Sequence, residues 1–404
     1  MTGIKHRSEP QFSTWFRNTV TGGSFVLFCL ALTAAHGEPL EVHINSKGFS
    51  QVKDVTLPDN LATCESLNFR ISGAPGAIEV QLLEADGCAK FWRRVDIADS
   101  NETAVSVPLR FMRRDGSRSP RWDKVRHFGI YFRNPGRFVL DDFTFRSQPG
   151  TTAEIGTEEL ARIAFPDATV HSVNKPDMAL LTDCKEMDLP AMEGLLGRFI
   201  AQARRDFPFL GAAGTPPVLL VFLRKDDYEQ FTPRFTKLLN STAAPPTSNG
   251  YTIHGIATSY WEPEKGTTRP VYLHEFTHAW FERVAALPGG GGGWLQEGLA
   301  NHYQLEFHPQ DNFSEIVRDG ISKPNFRMPL RELCSGNRIP MNRYWQAATV
   351  VRMMLALPEY QEKSPSVFEG KPPADDWEAF EHDWLEHCRR TCGTGKEQEQ
   401  TVNP

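Results

Sequence analysis

Any fold for this chain must bring two short stretches together: His274-Glu275-Phe276-Thr277-His278 and, nineteen residues after His278, Glu297 within Trp294-Leu295-Gln296-Glu297-Gly298-Leu299-Ala300. On a helix, histidines four residues apart sit about 40° apart around the axis, so both imidazoles reach one cation. Glu275 stands beside them, where a carboxylate can hold and deprotonate a water acidified by that cation. A third ligand is still needed. Glu297 lies in an apolar-periodic segment of its own, and a second helix packed on the first would supply it. Pro288 and five consecutive glycines, Gly289 to Gly293, join the two segments. Such a run loses much backbone freedom on ordering, which predicts a surface connector, either a plain link or a flap near a cleft. A surface helix can carry the two-histidine pattern without metal. Glu297 at this spacing favours zinc (Zn2+), because two imidazoles and one carboxylate leave one tetrahedral position open to water.

The strings HEFTHAW (274–280) and WLQEGLA (294–300) resemble the two zinc-binding helices of the gluzincins, metallopeptidases whose third ligand is a glutamate. The similarity is to the aminopeptidase N-like branch and to the peptidase MA-like families. It implies His274, His278 and Glu297 as ligands, with Glu275 as general base and proton shuttle. The segment Arg343 to Met354 resembles the helix that in aminopeptidase N-like enzymes carries a tyrosine aimed at the oxyanion, and Tyr344 takes that place. A core-packing role for Tyr344 stays open, as do His302 and Tyr303 as competing donors. The Gly-x-Met-Glu-Asn loop with which those aminopeptidases hold a free amine does not occur in this chain. Aminopeptidase specificity therefore does not carry over. Upstream, Gly250 to Tyr260 reads as β-branched and aromatic strand, either a structural edge or one that pairs with an extended peptide.

The first residues read as an export signal. Lys5, Arg7 and Arg17 precede the apolar run Ser24 to Leu32, and small residues end at Gly37, which predicts a cleaved signal peptide over 1–37 and a periplasmic or extracellular protein. Removing it leaves six cysteines, Cys64, Cys88, Cys184, Cys334, Cys388 and Cys392. An even count in an exported chain suggests disulfides, Cys64 with Cys88 first. Six buried thiols is the other reading. A net charge of −6 without a basic stripe argues against nucleic acid as a partner.

Residues 38–147 show short alternating runs between Gly, Pro, Asp and Asn clusters and no helix-length period, which predicts an all-β sandwich. Phe128 to Phe145 resembles the last two strands of galactose-binding-like jelly rolls, a class that includes carbohydrate-binding modules. That resemblance makes Asp142 a candidate calcium ligand, against a turn-capping or solvated role. Trp92, Trp122 and Tyr131 either stack on sugar rings or pack in the core. Residues 148–175 read as a linker with a helical patch at 157–164. Strand, helix and strand patterns then open a zincin-like α+β domain over 176–392, followed by a polar tail at 393–404. The chain is thus expected to be multidomain: a jelly-roll-like sandwich, then a gluzincin-like zinc peptidase acting on a peptide or protein, with the sandwich docking on a glycan or cell surface. Two alternatives stand beside it, a carbohydrate-binding or adhesion protein with an inactive peptidase-like domain, and a zinc hydrolase of a non-peptide amide.

Overall fold

The computed structural model describes residues 39–52, 55–98, 101–148, 151–289 and 292–393. The expected signal segment, all of the tail after Gly393, and Gly290 and Gly291 of the glycine run lie outside the described residues. Among the described residues no helix is long and apolar enough to cross a membrane.

The first half is two antiparallel sheets face to face. Its strands are β1 (Leu40–Ile44), β2 (Gly48–Val52), β3 (Ser66–Gly73), β4 (Gly76–Glu84), β5 (Ala89–Ile97), β6 (Thr103–Pro108), β7 (Arg113–Gly116), β8 (Val125–Phe132) and β9 (Gly136–Arg146). One sheet has the order β1-β9-β3-β6 and the other β2-β8-β4-β5-β7. Successive side chains point to opposite faces of a strand, so Leu67, Phe69 and Ile71 of β3 meet Ile78, Val80 and Leu82 of β4 and Phe128, Ile130 and Phe132 of β8 in one core.

The second half is built on a mixed sheet of order β10-β11-β12-β14-β13, from β10 (His171–Lys175), β11 (Met178–Thr182), β12 (Val218–Phe222), β13 (Gly250–Ile253) and β14 (Ile256–Tyr260). The three central strands run parallel, whereas β10 and β13 are antiparallel edges. The helices α1 (Thr157–Ala164), α2 (Leu189–Asp206) and α3 (Lys225–Leu238) accompany the sheet. A parallel strand covered on both faces is apolar throughout, and all five residues of β12 are buried. Leu180, Leu219 and Val221 face the helices that follow, while Leu181, Leu220 and Phe222 face α1 and α3.

Those following helices are α4 (Pro270–Ala285), α5 (Trp294–Phe307), α6 (Phe313–Ser322), α7 (Leu330–Leu333), α8 (Tyr344–Ala356), two short turns α9 (Pro358–Gln361) and α10 (Ser364–Phe368), and α11 (Trp377–Cys392). Asp188 caps α2 by accepting from the Ala191 N–H at 3.0 Å, and Pro190 suits its first turn. Pro270 opens α4, and Ala286 in the left-handed region (φ 55°) closes it on the Phe281 carbonyl.

Two expectations are corrected. The later part of the segment read as a linker packs with the second unit: Leu160, Ala164 and Phe165 lie against Phe222 and Phe231, and β10 pairs with β11 residue for residue, whereas Ala153 belongs to the sandwich core. Its apolar positions are few, yet they fall on one helix face. All six described cysteines are free. Cys64 precedes β3 of one sheet, its thiol 3.5 Å from the Ser147 hydroxyl, whereas Cys88 sits in the β4–β5 turn of the other sheet.

A candidate metal centre between helices α4 and α5

Helix α4 is buried almost all round, so it is a central element and its few polar residues require partners. His274 and His278 project from its middle turns, and α5 brings Glu297 alongside. The two histidine Nε2 atoms are 3.2 Å apart, and each lies 3.6 Å from Glu297 Oε2. A tetrahedral cation with bonds of about 2.05 Å places its donors roughly 3.3 Å apart. The observed triangle matches that edge.

The charges agree with the distances. Glu297 is only 5% exposed, and its Oε2 has no hydrogen-bond partner. Leaving such an atom unsatisfied costs free energy that a cation would recover. Burial alone would raise the pKa of this carboxyl, but the two histidines hold it far below the usual carboxylate range. Among the described residues this is the one group of three or more His, Cys, Asp or Glu side chains able to hold a metal.

Glu275 faces the same cleft and is 8% exposed. The Thr252 hydroxyl lies 2.7 Å from Glu275 Oε2 and 3.0 Å from the Glu275 carbonyl oxygen, so strand β13 fixes the carboxylate's rotamer. Gly250 allows that approach. A Cβ there would stand 2.5 Å from Glu275 Cγ, a separation that side chains do not adopt. Neither Thr252 nor Gly250 was marked by the sequence as a site residue.

Tyr344 begins α8 and also lines the cleft. Burial first and the neighbouring Glu297 carboxylate second push its phenol up to about 12, with Arg338 opposing, so it keeps its proton at neutral pH and can donate a hydrogen bond. Gly298 lets α5 and α8 pack closely, since a Cβ would lie 2.8 Å from the Ala347 carbonyl oxygen and force the two helices apart. The competing donors lie elsewhere. Tyr303 is buried and donates to Asp206 at 2.8 Å. His302 is buried beside Arg352, and burial with that charge drops its pKa to about 3.

The cleft encloses about 1060 Å³ and is bordered by Ser248 to Thr252. Strand β13 pairs with β14 on one side only, and its other edge adjoins this space. Glu262, just after β14, pairs with Arg269 at 2.9 Å. Asp142 pairs with Arg70, and its φ of 55° falls inside β9 where the pairing with β3 shifts register. Trp122 is in the core, stacked on Phe91 at 3.5 Å, whereas Trp92 and Tyr131 are partly exposed.

No family model matches the chain, and no curated protein matches it. Solved structures do. An M1 zinc metallopeptidase from Deinococcus radiodurans with bound Tyr-Ser-Ala is 14% identical, covering 91% of this chain and 66% of its own at a TM-score of 0.29. The M60 catalytic domain of Clostridium perfringens ZmpB is 10% identical, covering 87% and 40% at 0.30. A family 11 carbohydrate-binding module from Clostridium thermocellum is 11% identical, covering 28% and 85% at 0.20. These scores are too low to assign fold or activity, and the functional case stands on the donor geometry.

Proposed function

We propose that the chain is an exported, zinc-dependent peptidase of gluzincin type. The observation that carries this is the His274–His278–Glu297 donor triangle with a buried carboxylate, Glu275, held beside it by Thr252. His274, His278 and Glu297 would hold the metal, which when bound supplies Lewis acidity and brings the pKa of water towards about 7. Glu275 takes the proton of the attacking water and passes it to the leaving amine as the C–O bond forms and the C–N bond breaks. Tyr344 donates to the oxyanion that develops on the carbonyl oxygen. The free edge of β13 suits an extended peptide, whose backbone it would pair.

The test is metal analysis of the purified protein beside Glu275→Gln, with both assayed on a mixed peptide library. About one zinc per chain and cleavage lost in the variant supports a working peptidase, and the cut sites separate endo- from exo-cleavage. Zinc without peptide cleavage points to a non-peptide amide or a binding protein. Absence of zinc binding refutes the proposal.

One observation favours a second role for the sandwich. Trp92 and Tyr131 lie opposite Gln81 and Glu79 across β4, on the sheet face that points away from the core. Two partly exposed aromatics on one sheet face suit stacking against sugar rings. Binding to a glycan array that survives Glu275→Gln but is lost in Trp92→Ala and Tyr131→Ala supports this role, and binding unchanged in both aromatic variants refutes it.

A further inference from the structure

The cleft beside the metal donors carries two arginines that the chemistry above does not use, Arg338 and Arg343. Four arginines of the surrounding scaffold, Arg110, Arg114, Arg269 and Arg283, are each paired with a carboxylate. Arg338 and Arg343 have no carboxylate within ion-pair distance among the described residues. Arg343 bonds only backbone carbonyls, those of Asn342 at 3.2 Å and Asn325 at 3.5 Å, and its buried Nε has no partner. A guanidinium carries five donors, so most of this capacity is unspent. Arg338 is close enough to Tyr344 to act on its phenol. It is also held in place, because residues 338 and 339 pair with the end of the glycine run: Arg338 bridges to Gly293, and the Ile339 N–H bonds the Gly292 carbonyl at 2.9 Å.

The same wall is apolar in an unusual way. Five large hydrophobic side chains are exposed among the described residues, and three of them, Ile316, Phe326 and Met341, line this cleft. Met341 is 79% exposed, two residues from Arg343. Apolar groups held in water next to unpaired guanidiniums form a surface whose complement is an anion on an apolar body.

We infer that Arg338 and Arg343 form a carboxylate-recognising subsite, so that the substrates are peptides with a carboxylate next to the scissile bond and an apolar residue against Met341 and Phe326. This rests on the peptidase reading. A peptide offers a carboxylate from an acidic side chain or from its chain terminus, and the guanidinium fork accepts either in bidentate fashion.

The experiment uses the zinc-loaded full chain and quenched peptides in which Glu, Gln and Lys are placed in turn at each position around the cleavage site, each peptide made as free acid and as amide. Charge-assisted hydrogen bonds of this kind give a Glu over Gln preference in kcat/KM of roughly ten- to hundredfold at one position. Preference for Glu in the interior assigns the side chain as the source, whereas preference for free acid over amide assigns the terminus. In Arg338→Gln/Arg343→Gln the ratio falls towards one, and in Arg338→Glu/Arg343→Glu it inverts in favour of Lys. A ratio measured within one enzyme does not depend on the folded fraction. Cleavage without preference for a carboxylate, or a preference unchanged in the double variants, overturns the inference while leaving the peptidase intact. No cleavage of any peptide refutes the peptidase and removes this subsite with it.

Discussion

Replacing Glu154 by Gln tests how the two halves of the molecule are joined. Glu154 accepts from Arg114 Nη2 at 2.8 Å, from Arg283 Nη1 at 3.0 Å and from the Trp122 indole at 3.2 Å. Arg114 belongs to the sandwich and Arg283 to α4, five residues after His278. The two guanidinium side chains are 11% and 9% exposed, so little water reaches either when the carboxylate is removed, and Arg114 keeps only the more distant Glu282 at 3.9 Å. Breaking a buried pair in this way costs about 3–5 kcal/mol. The acid linkage gives a second route to the same figure. Burial would raise the Glu154 pKa, but Arg114 and Arg283 outweigh it and take the group from 4.5 to about 2. A depressed folded-state pKa stabilises above the unfolded value, and that stability is lost as pH falls from 4.5 towards 2; the drop corresponds to roughly 3 kcal/mol. In urea unfolding, Glu154→Gln should therefore be less stable than the wild type by about 3–5 kcal/mol at pH 7, and the gap should shrink by about half at pH 3. A variant within about 1 kcal/mol of the wild type at pH 7, or a gap that does not change with pH, refutes the reasoning.

Three further outcomes follow from the site. Gly250→Ala drives a methyl into Glu275, so kcat should fall by at least about tenfold while metal analysis shows zinc content unchanged. Tyr344→Phe should lower kcat by roughly a hundredfold with KM nearly constant, the pattern of a donor used only in the transition state. Thr252→Val should lower kcat with zinc retained, and Thr252→Ser should restore it, because the bond to Glu275 needs the hydroxyl and not the methyl; equal losses in both variants would show that only packing matters.

The pairing of the two candidate histidine donors could be read in the sequence because its geometry is local, whereas Glu297 reaches them only through the packing of α5 on α4. Four residues along a helix fix the angle between His274 and His278, and that angle holds whatever the rest of the chain does. The apolar strands β11 and β12 and the alternating runs of the sandwich were legible for the same reason, since such patterns report directly on burial, whereas the polar edge strand β10 was read as linker. Thr252 and Gly250 were not. They touch Glu275 across the gap between a strand and a helix, and no spacing rule links residues that meet only after the sheet has formed. Arg338 was hidden in a polar loop whose position depends on pairing with Gly292 and Gly293. The expected Cys64–Cys88 bridge followed from parity and shared domain alone, and neither says which sheet a cysteine will occupy.

The junction changes what the sandwich is for. A module that only docks its neighbour on a surface needs a tether, yet this one reaches the end of the helix that carries the proposed metal donors. The Ser119 N–H bonds the carbonyl of Ala286, the residue that closes α4, at 2.8 Å, and its hydroxyl donates to Glu282 Oε1 at 2.9 Å. Glu282 lies one helical turn beyond His278, and its other oxygen accepts from the Gly255 and Gly289 N–H groups at 2.9 and 3.2 Å. One buried carboxylate thus gathers the sandwich, the turn between β13 and β14, and the start of the glycine run. Elsewhere Arg93 donates to the Leu238 carbonyl at 2.8 Å, and Asn240 to that of Arg94 at 2.7 Å. Without the sandwich, Glu282 would lose its contacts with Ser119 and Arg114, on the helix that carries His274 and His278 with their Nε2 atoms 3.2 Å apart. The β-sandwich is therefore a structural support of the helix that carries the proposed metal donors, whatever it binds on its far face.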